Sequence, residues 1–194
     1  MYKRQAERKV LVVSPAPDTR QRMEELKNFM QEYTPVVIGV GAAADTLASM
    51  GYAPDIIVGD PKDVASENLR SDAKVILPAE PDGYAPGLER IQDLGVGAMT
   101  FPAATDSPTD LAILLATFHD AEMIVTVGQP VELDRIFADS ATTAGTPATE
   151  PAALLARLKA GRKIVDSSVI TNLYAVESGA GVALSLIHIS EPTR

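Results

Sequence analysis

The chain has 194 residues, a formal net charge of -9, no cysteine and two histidines. An acidic balance argues against a nucleic-acid-binding surface, which needs clustered Lys and Arg on phosphates. The missing cysteines exclude disulfides, thiolate metal sites and cysteine nucleophiles, and so few histidines leave only carboxylate-held hard cations as candidate metals.

The first five residues, MYKRQ, and the last eleven, LSLIHISEPTR, resemble translated sequencing-adapter ends, and fold reasoning sets such segments aside. The expected protein is then an interior fragment, Ala6 to Ala183, open at both ends. Without those ends the charge becomes -11, and His119 is the sole histidine. About 180 residues suit one domain with a single substantial core.

Lys9 to Ser14 is a short apolar run read as the first strand. Pro15-Ala16-Pro17 breaks it, and Asp18 with Gln21 predicts a capping box opening a helix over Arg20–Tyr33. Met23, Leu26, Phe29 and Met30 form its apolar face. Val36–Val40 is the second strand. The small-residue turn Gly41-Ala42-Ala43-Ala44-Asp45 leads into a short helix ending near Gly51. The third strand lies in Pro54–Val58 and stops at Gly59-Asp60-Pro61-Lys62-Asp63.

A short helix follows around Ser66–Arg70, then a strand at Lys74–Leu77, a loop over Pro78–Gly83, a helix at Gly87–Leu94 and a strand at Ala98–Phe101. Pro108 to His119 is predicted helical, apolar at Leu111, Leu114, Leu115 and Phe118, and Glu122–Gly128 is a strand. The remainder reads as a helix at Val131–Ala138, a loop over Asp139–Thr149, a helix at Pro151–Lys159, a strand at Lys163–Val165 and a helix at Thr171–Val176. Short strands, apolar on both faces and alternating with helices, predict an α/β, doubly wound, mostly parallel sheet.

Ligands in such sheets sit beyond the carboxyl ends of the strands, which makes Gly59-Asp60 a place for chemistry. Asp60 reads either as a Mg2+ or phosphate-site carboxylate or as a turn aspartate bonding its own backbone. Ser107 as N-cap, Pro108 at the first helical position and Asp110 at the third form an acidic capping box. The same helix start, with Thr109, offers free N–H groups to an anion. Gly39-Val40-Gly41 permits close backbone approach but lacks the third glycine of a dinucleotide fingerprint, and tight helix-on-strand packing explains it equally well. No P-loop pattern is present. His119 sits where it would serve the helix C-terminal dipole.

Gly39 to Asp45, PDIIVGDPKD over Pro54–Asp63, and Thr109-Asp110-Leu111, in that order and spacing, resemble the catalytic domain of thiamine pyrophosphokinases. The loop-helix Pro81–Arg90 and the run Phe101–Ala104 resemble more closely the SteA-like branch, actinobacterial cytokinetic ring proteins with a divergent copy of that domain. The resemblance covers nearly all of Ala6–Ala183, with residues 6–178 as the α/β domain. It implies a Rossmann-like fold. It also implies a nucleotide or phosphate site at Gly39, Gly41, Asp45, Gly59, Asp60, Lys62, Ser107, Thr109 and Asp110. Asp60 and Asp110 would be the metal ligands and, in an active enzyme, the catalytic acids, with ATP and Mg2+ as cofactors. It further implies a cell-division membrane partner, with the domain on the cytoplasmic side of the inner membrane. Residues 179–183 would then begin a membrane segment.

The departures from the kinase pattern bear on chemistry. Gly41 stands where the family shows an acid, and Lys62 replaces the second acid of its GDxDS motif. Gly128-Gln129-Pro130 lacks the following Asp-His, and no thiamine-binding β-sandwich is evident. An ammonium ~4 Å from a divalent ion would be repelled by ~8 kcal/mol at an effective dielectric of 20. Lys62 therefore points to a degenerate site that binds or scaffolds without turnover. The alternative is an active enzyme transferring diphosphate from ATP to thiamine.

Overall fold

The computed structural model describes residues 8–102, 107–128 and 151–176. Seven strands form one sheet: β1 Lys9–Val13, β2 Val36–Val40, β3 Ile56–Val58, β4 Lys74–Ala79, β5 Ala98–Pro102, β6 Met123–Val127 and β7 Ile164–Asp166. Their order is β5-β4-β3-β2-β1-β6-β7, and every pairing is parallel. The helices are α1 Thr19–Glu25, α2 Lys27–Tyr33, α3 Ala43–Ser49, α4 Ser66–Leu69, α5 Leu88–Asp93, α6 Pro108–Phe118, α7 Pro151–Ala160 and α8 over 167–176. The expected helix at Val131–Ala138, the loop over Asp139–Thr149, the adapter-like ends and the start of a membrane segment at 179–183 lie outside the described residues.

Alternation along the strands sorts side chains onto two faces. Leu11, Val13, Val37 and Val125 pack with Met23, Leu26 and Phe29 of the α1–α2 region, with Leu47 of α3 and with Ile170 of α8. Ile57, Val75 and Leu77 continue that layer under Leu69 and Ile91. Val10, Val12, Ile38, Val58 and Ile76 face the other way, toward Leu111, Ala112, Leu115 and Ala116 of α6 and Ala160 of α7. Each fully buried aliphatic side chain contributes roughly 1.5–3 kcal/mol, so both layers matter to the fold. Among the described residues, no helix is long and apolar enough to cross a membrane.

Several elements differ from expectation. Leu26 interrupts the first helix, giving α1 and α2. The capping box does not form there: Asp18 makes no side-chain cap bond and instead accepts from Arg22 Nε at 2.6 Å. A cation one helical turn away competes successfully for that carboxylate. Pro78 and Ala79, read as loop, belong to β4. Pro78 fits because β3 pairs only with Lys74–Ile76, so its missing N–H costs no bond on that side. α8 begins at residue 167 rather than 171. In α6, Phe118 is 72% exposed while Ala112, Ile113 and Ala116 are buried, because the helix is packed by both the sheet and α7.

Candidate functional site

Chain order along the sheet reverses between β1 and β6, and α6 carries the chain back across the face opposite α1–α5. Ligand crevices form outside the carboxyl ends of the strands at such a switch. Here Ser14 and Gly128 end the two strands. Ser14 N–H donates to the Val127 carbonyl at 2.8 Å. A Cβ on Gly128 would lie 2.6 Å from the Ser14 carbonyl oxygen, so this position tolerates no side chain. The Ser14 hydroxyl bonds the Thr109 hydroxyl at 2.8 Å, both groups buried, and so ties the start of α6 to the end of β1.

The turns after β2 and β3 close on the same helix start. Gly41 has φ +48° and donates its N–H to the Val58 carbonyl at 2.9 Å. Gly59 has φ +130°, and a Cβ there would meet the Gly41 nitrogen at 3.4 Å and Pro108 Cβ at 3.6 Å. Gly41, Gly59, Ser107, Thr109 and Asp110 therefore converge at one end of the sheet. Gly39 does not join them: inside β2, it lets Ala44 of α3 approach to within 3.0 Å of where a Cβ would be. Asp45 is engaged elsewhere too. Its carboxylate accepts the Ala65 N–H at 3.0 Å and the Asn68 side-chain amide, which joins α3 to α4.

Asp60 caps a single 3-10 turn, Pro61–Asp63, and its Oδ1 accepts the Lys62 N–H at 2.9 Å. Gly87, with φ +86°, brings the loop before α5 onto this turn. A Cβ there would be 2.6 Å from Pro61 Cδ and 3.3 Å from Asp60 Oδ1. Lys62 is exposed and lines an open groove of about 690 Å³ with Tyr84, Leu88 and Arg90. Its ammonium has no ion-pair partner among the described residues. Arg90 bonds the Val64 carbonyl and Ser66 hydroxyl through one terminal nitrogen, while its buried Nε has no partner among the described residues.

Asp110 follows the cap. Ser107 Oγ accepts the Asp110 N–H at 3.4 Å, and Pro108 takes the first helical position. The Asp110 side chain is 1% exposed and accepts from Arg157 Nε of α7 at 3.0 Å. Burial raises its pKa above the ordinary carboxylate value, against the opposing pull of Arg157 and a bond with Ser107. Among the described residues, no three acidic or histidine side chains are grouped to hold a metal ion. Asp60 and Asp110, the expected metal ligands, are each held by another partner. His119 caps the C-terminal end of α6, exposed and edge-on to Phe118.

Sequence reasoning missed Ser14, Gly87 and Arg157. Ser14 was open to the same strand-end rule that singled out Asp60. Gly87 and Arg157 act through long-range contacts for which one sequence carries no signal.

No family model matches the chain, and no curated protein matches it. Solved structures that are similar include thiamine pyrophosphokinase from Bacillus subtilis, at 17% identity and a TM-score of 0.39, over 69% of this chain and 53% of that one. Thiamin pyrophosphokinase from Geobacillus thermodenitrificans gives 17% identity and a TM-score of 0.39, over 68% and 52%. A protein from Lactobacillus plantarum gives 18% identity and a TM-score of 0.34, over 69% and 53%. The chain thus spans about half the length of these structures. No residue role follows from a likeness at this level.

Proposed function

We propose that the strand-end crevice binds a phosphate-bearing small molecule, a nucleotide such as ATP among the candidates, without turning it over. The observation that carries the reading is the state of the charged groups. The Asp60 carboxylate is engaged by its own turn and Asp110 by Arg157, while Lys62 stands with no ion-pair partner among the described residues. Mg2+ needs near-octahedral oxygen ligation at about 2.0–2.1 Å, and among the described residues no group of three acids or histidines is placed to supply it. A lysine at this position serves as a point-charge phosphate contact in the ion's place. The start of α6 adds its dipole and the Thr109 N–H, since Pro108 has none and Ser107 takes that of Asp110. The cell-division setting, a scaffolding role and a position at the cytoplasmic face of a membrane rest on the sequence resemblance alone.

Titration calorimetry with ATP, ADP and inorganic pyrophosphate, with and without Mg2+, tests the proposal. Binding that persists without Mg2+ and weakens several-fold in Lys62→Glu supports it. Thiamine diphosphate formed from ATP and thiamine at an enzymatic rate, and lost in Asp60→Asn, would overturn it in favour of an active diphosphokinase. Absence of heat with every probe would leave the scaffolding role.

A further inference from the structure

A second cavity lies at the opposite end of the strands and belongs to none of the chemistry above. α6 lies over β1, β2 and β3, and α7 packs beside it. The α6-side face of β4 and β5 extends past them. The result is a cavity of about 480 Å³, within the range of about 300–1,000 Å³ typical of small-molecule sites. Its floor is apolar and largely buried, formed by Ile38, Ile76, Leu115 and Ala116. Met99, 53% exposed, stands at the β5 side with Phe101.

The charge at its rim runs against the rest of the molecule. The chain carries a net charge of -9, yet the described lining includes Arg8 and Lys74 and no Asp or Glu. His119 adds an imidazole at the same mouth. Arg8, Lys74 and His119 are exposed, and among the described residues none forms an ion pair. Arg8 and Lys74 each sit at the amino end of a strand, one preceding β1 and the other opening β4, so both cations mark the strand-start edge of the cavity. Glu122 and Asp55 adjoin Arg8 and Lys74 through backbone bonds, but neither acid lines the cavity. Two cations at the open end of an apolar cavity, without an acid in its described lining, match a ligand of opposite charge.

We propose that this cavity binds an amphiphile with a single anionic head, a carboxylate on an apolar chain or ring. Its body lies against Ile38, Ile76 and Leu115, and its head points to Arg8 and Lys74. A ligand of this kind satisfies both features of the cavity at once. A neutral apolar molecule would leave the cations unused, and a small anion would leave the floor uncovered.

Dodecanoate is the probe, followed by calorimetry and by displacement of 1-anilinonaphthalene-8-sulfonate fluorescence. The expected result is saturable binding of one dodecanoate that displaces the dye. Dodecyltrimethylammonium should bind at least about tenfold more weakly, as expected when two contacts change from attraction to repulsion. The Arg8→Glu/Lys74→Glu variant, altered only at exposed side chains, should reverse that preference. Met99→Lys adds a third cation to the lining and should weaken dodecyltrimethylammonium further while leaving dodecanoate bound. Equal binding of the two amphiphiles, or a preference unchanged in the double variant, would overturn the proposal. So would self-association in sedimentation velocity that Met99→Lys abolishes while dodecanoate gives no heat, since a second copy would then occupy the face. Phosphate-ligand binding at Lys62 should be unaffected by all three substitutions, which separates failure here from failure at the strand-end crevice.

Discussion

Replacing Arg157 by methionine keeps most of the side chain's packing on α7 but removes the one cation that, among the described residues, is bonded to a carboxylate 1% exposed. Breaking a buried pair from one side costs roughly 3–5 kcal/mol, because the surviving charge is left unpaired in a poor solvent for it. Arg157 itself keeps 18% exposure, so a loss near the low end, about 3 kcal/mol, is expected. The loss should depend on pH. Burial already raises the Asp110 pKa above its ordinary value of 3.8, and without Arg157 it must rise further. An acid with a raised folded pKa holds its proton more tightly folded than unfolded. Its penalty is therefore absent below 3.8, grows as pH rises toward the folded value, and is complete above it. Urea unfolding of wild type, Arg157→Met, Asp110→Asn and the double variant at about pH 8 and about pH 4.5 measures this directly. The deficit of Arg157→Met should be largest at the higher pH, and the double variant should recover part of it, since no charge is left buried. A deficit below about 1 kcal/mol, or one equal at both pH values, would show that the pair behaves as an exposed one and that Asp110 is free for other ligands.

Other positions give sharper local tests. Gly83 and Gly87 share φ near +87°, but a Cβ on Gly83 meets nothing within 4 Å while one on Gly87 meets Pro61 at 2.6 Å. Both alanine variants pay about 1–2 kcal/mol for the left-handed backbone, and Gly87→Ala should lose a further 1–3 kcal/mol by overpacking. Equal shifts in thermal midpoint would refute the seating of this loop on the Asp60 turn. Asp45→Ala should cost about 1–2 kcal/mol and speed amide exchange at Ala65, whose N–H loses its acceptor. Unchanged exchange there would mean that Asp45 does not tie α3 to α4. Arg22 holds the Asp18 carboxyl below its ordinary value, so the pair's support is present above pH 3.8 and fades as pH falls through the folded pKa. Carbon-detected NMR titration should show the Asp18 midpoint moving up in Arg22→Gln, and an unmoved midpoint would deny the contact.

Most of the sheet could be read from the sequence because most strands are short runs of β-branched or aliphatic residues with Gly or Pro close behind, β7 before Ser167 being an exception. Val36–Val40 and Met123–Val127 are cases where composition and boundary agree. Pro78 misled because its cost depends on a neighbour: the missing N–H matters only where a strand lies alongside, and β3 has already ended. Asp18 misled because two local rules shared one carboxylate, the N-cap and the pair one turn along, and the guanidinium won. Phe118 misled because periodicity on α6 cannot show which sides the sheet and α7 will take. At the site, Ser107, Pro108 and Asp110 were legible as a cap, since a cap is a local pattern. The partner of Asp110 was not, because Arg157 lies 47 residues away.

That long-range bond changes what the single substitution at Lys62 implies. Read from sequence, the lysine is the decisive departure from an acid-lined phosphoryl-transfer site, and restoring an acid there would seem to restore the site. The structure adds two further barriers. The Asp60 carboxylate spends Oδ1 on its own turn, which Gly87 packs against from outside. Moving Oδ1 off the Lys62 N–H would disturb the turn on which that loop sits, so an ion would be left with Oδ2. The Asp110 charge is already matched by Arg157, so a metal ion would have to displace a guanidinium from a buried carboxylate rather than meet a waiting one. Each change costs energy in the folded state before any ion binds. Among the described residues three features thus stand against metal binding at this end of the sheet, Lys62, the Asp60 turn and the Asp110–Arg157 pair, and an acid at position 62 alone reverses only the first.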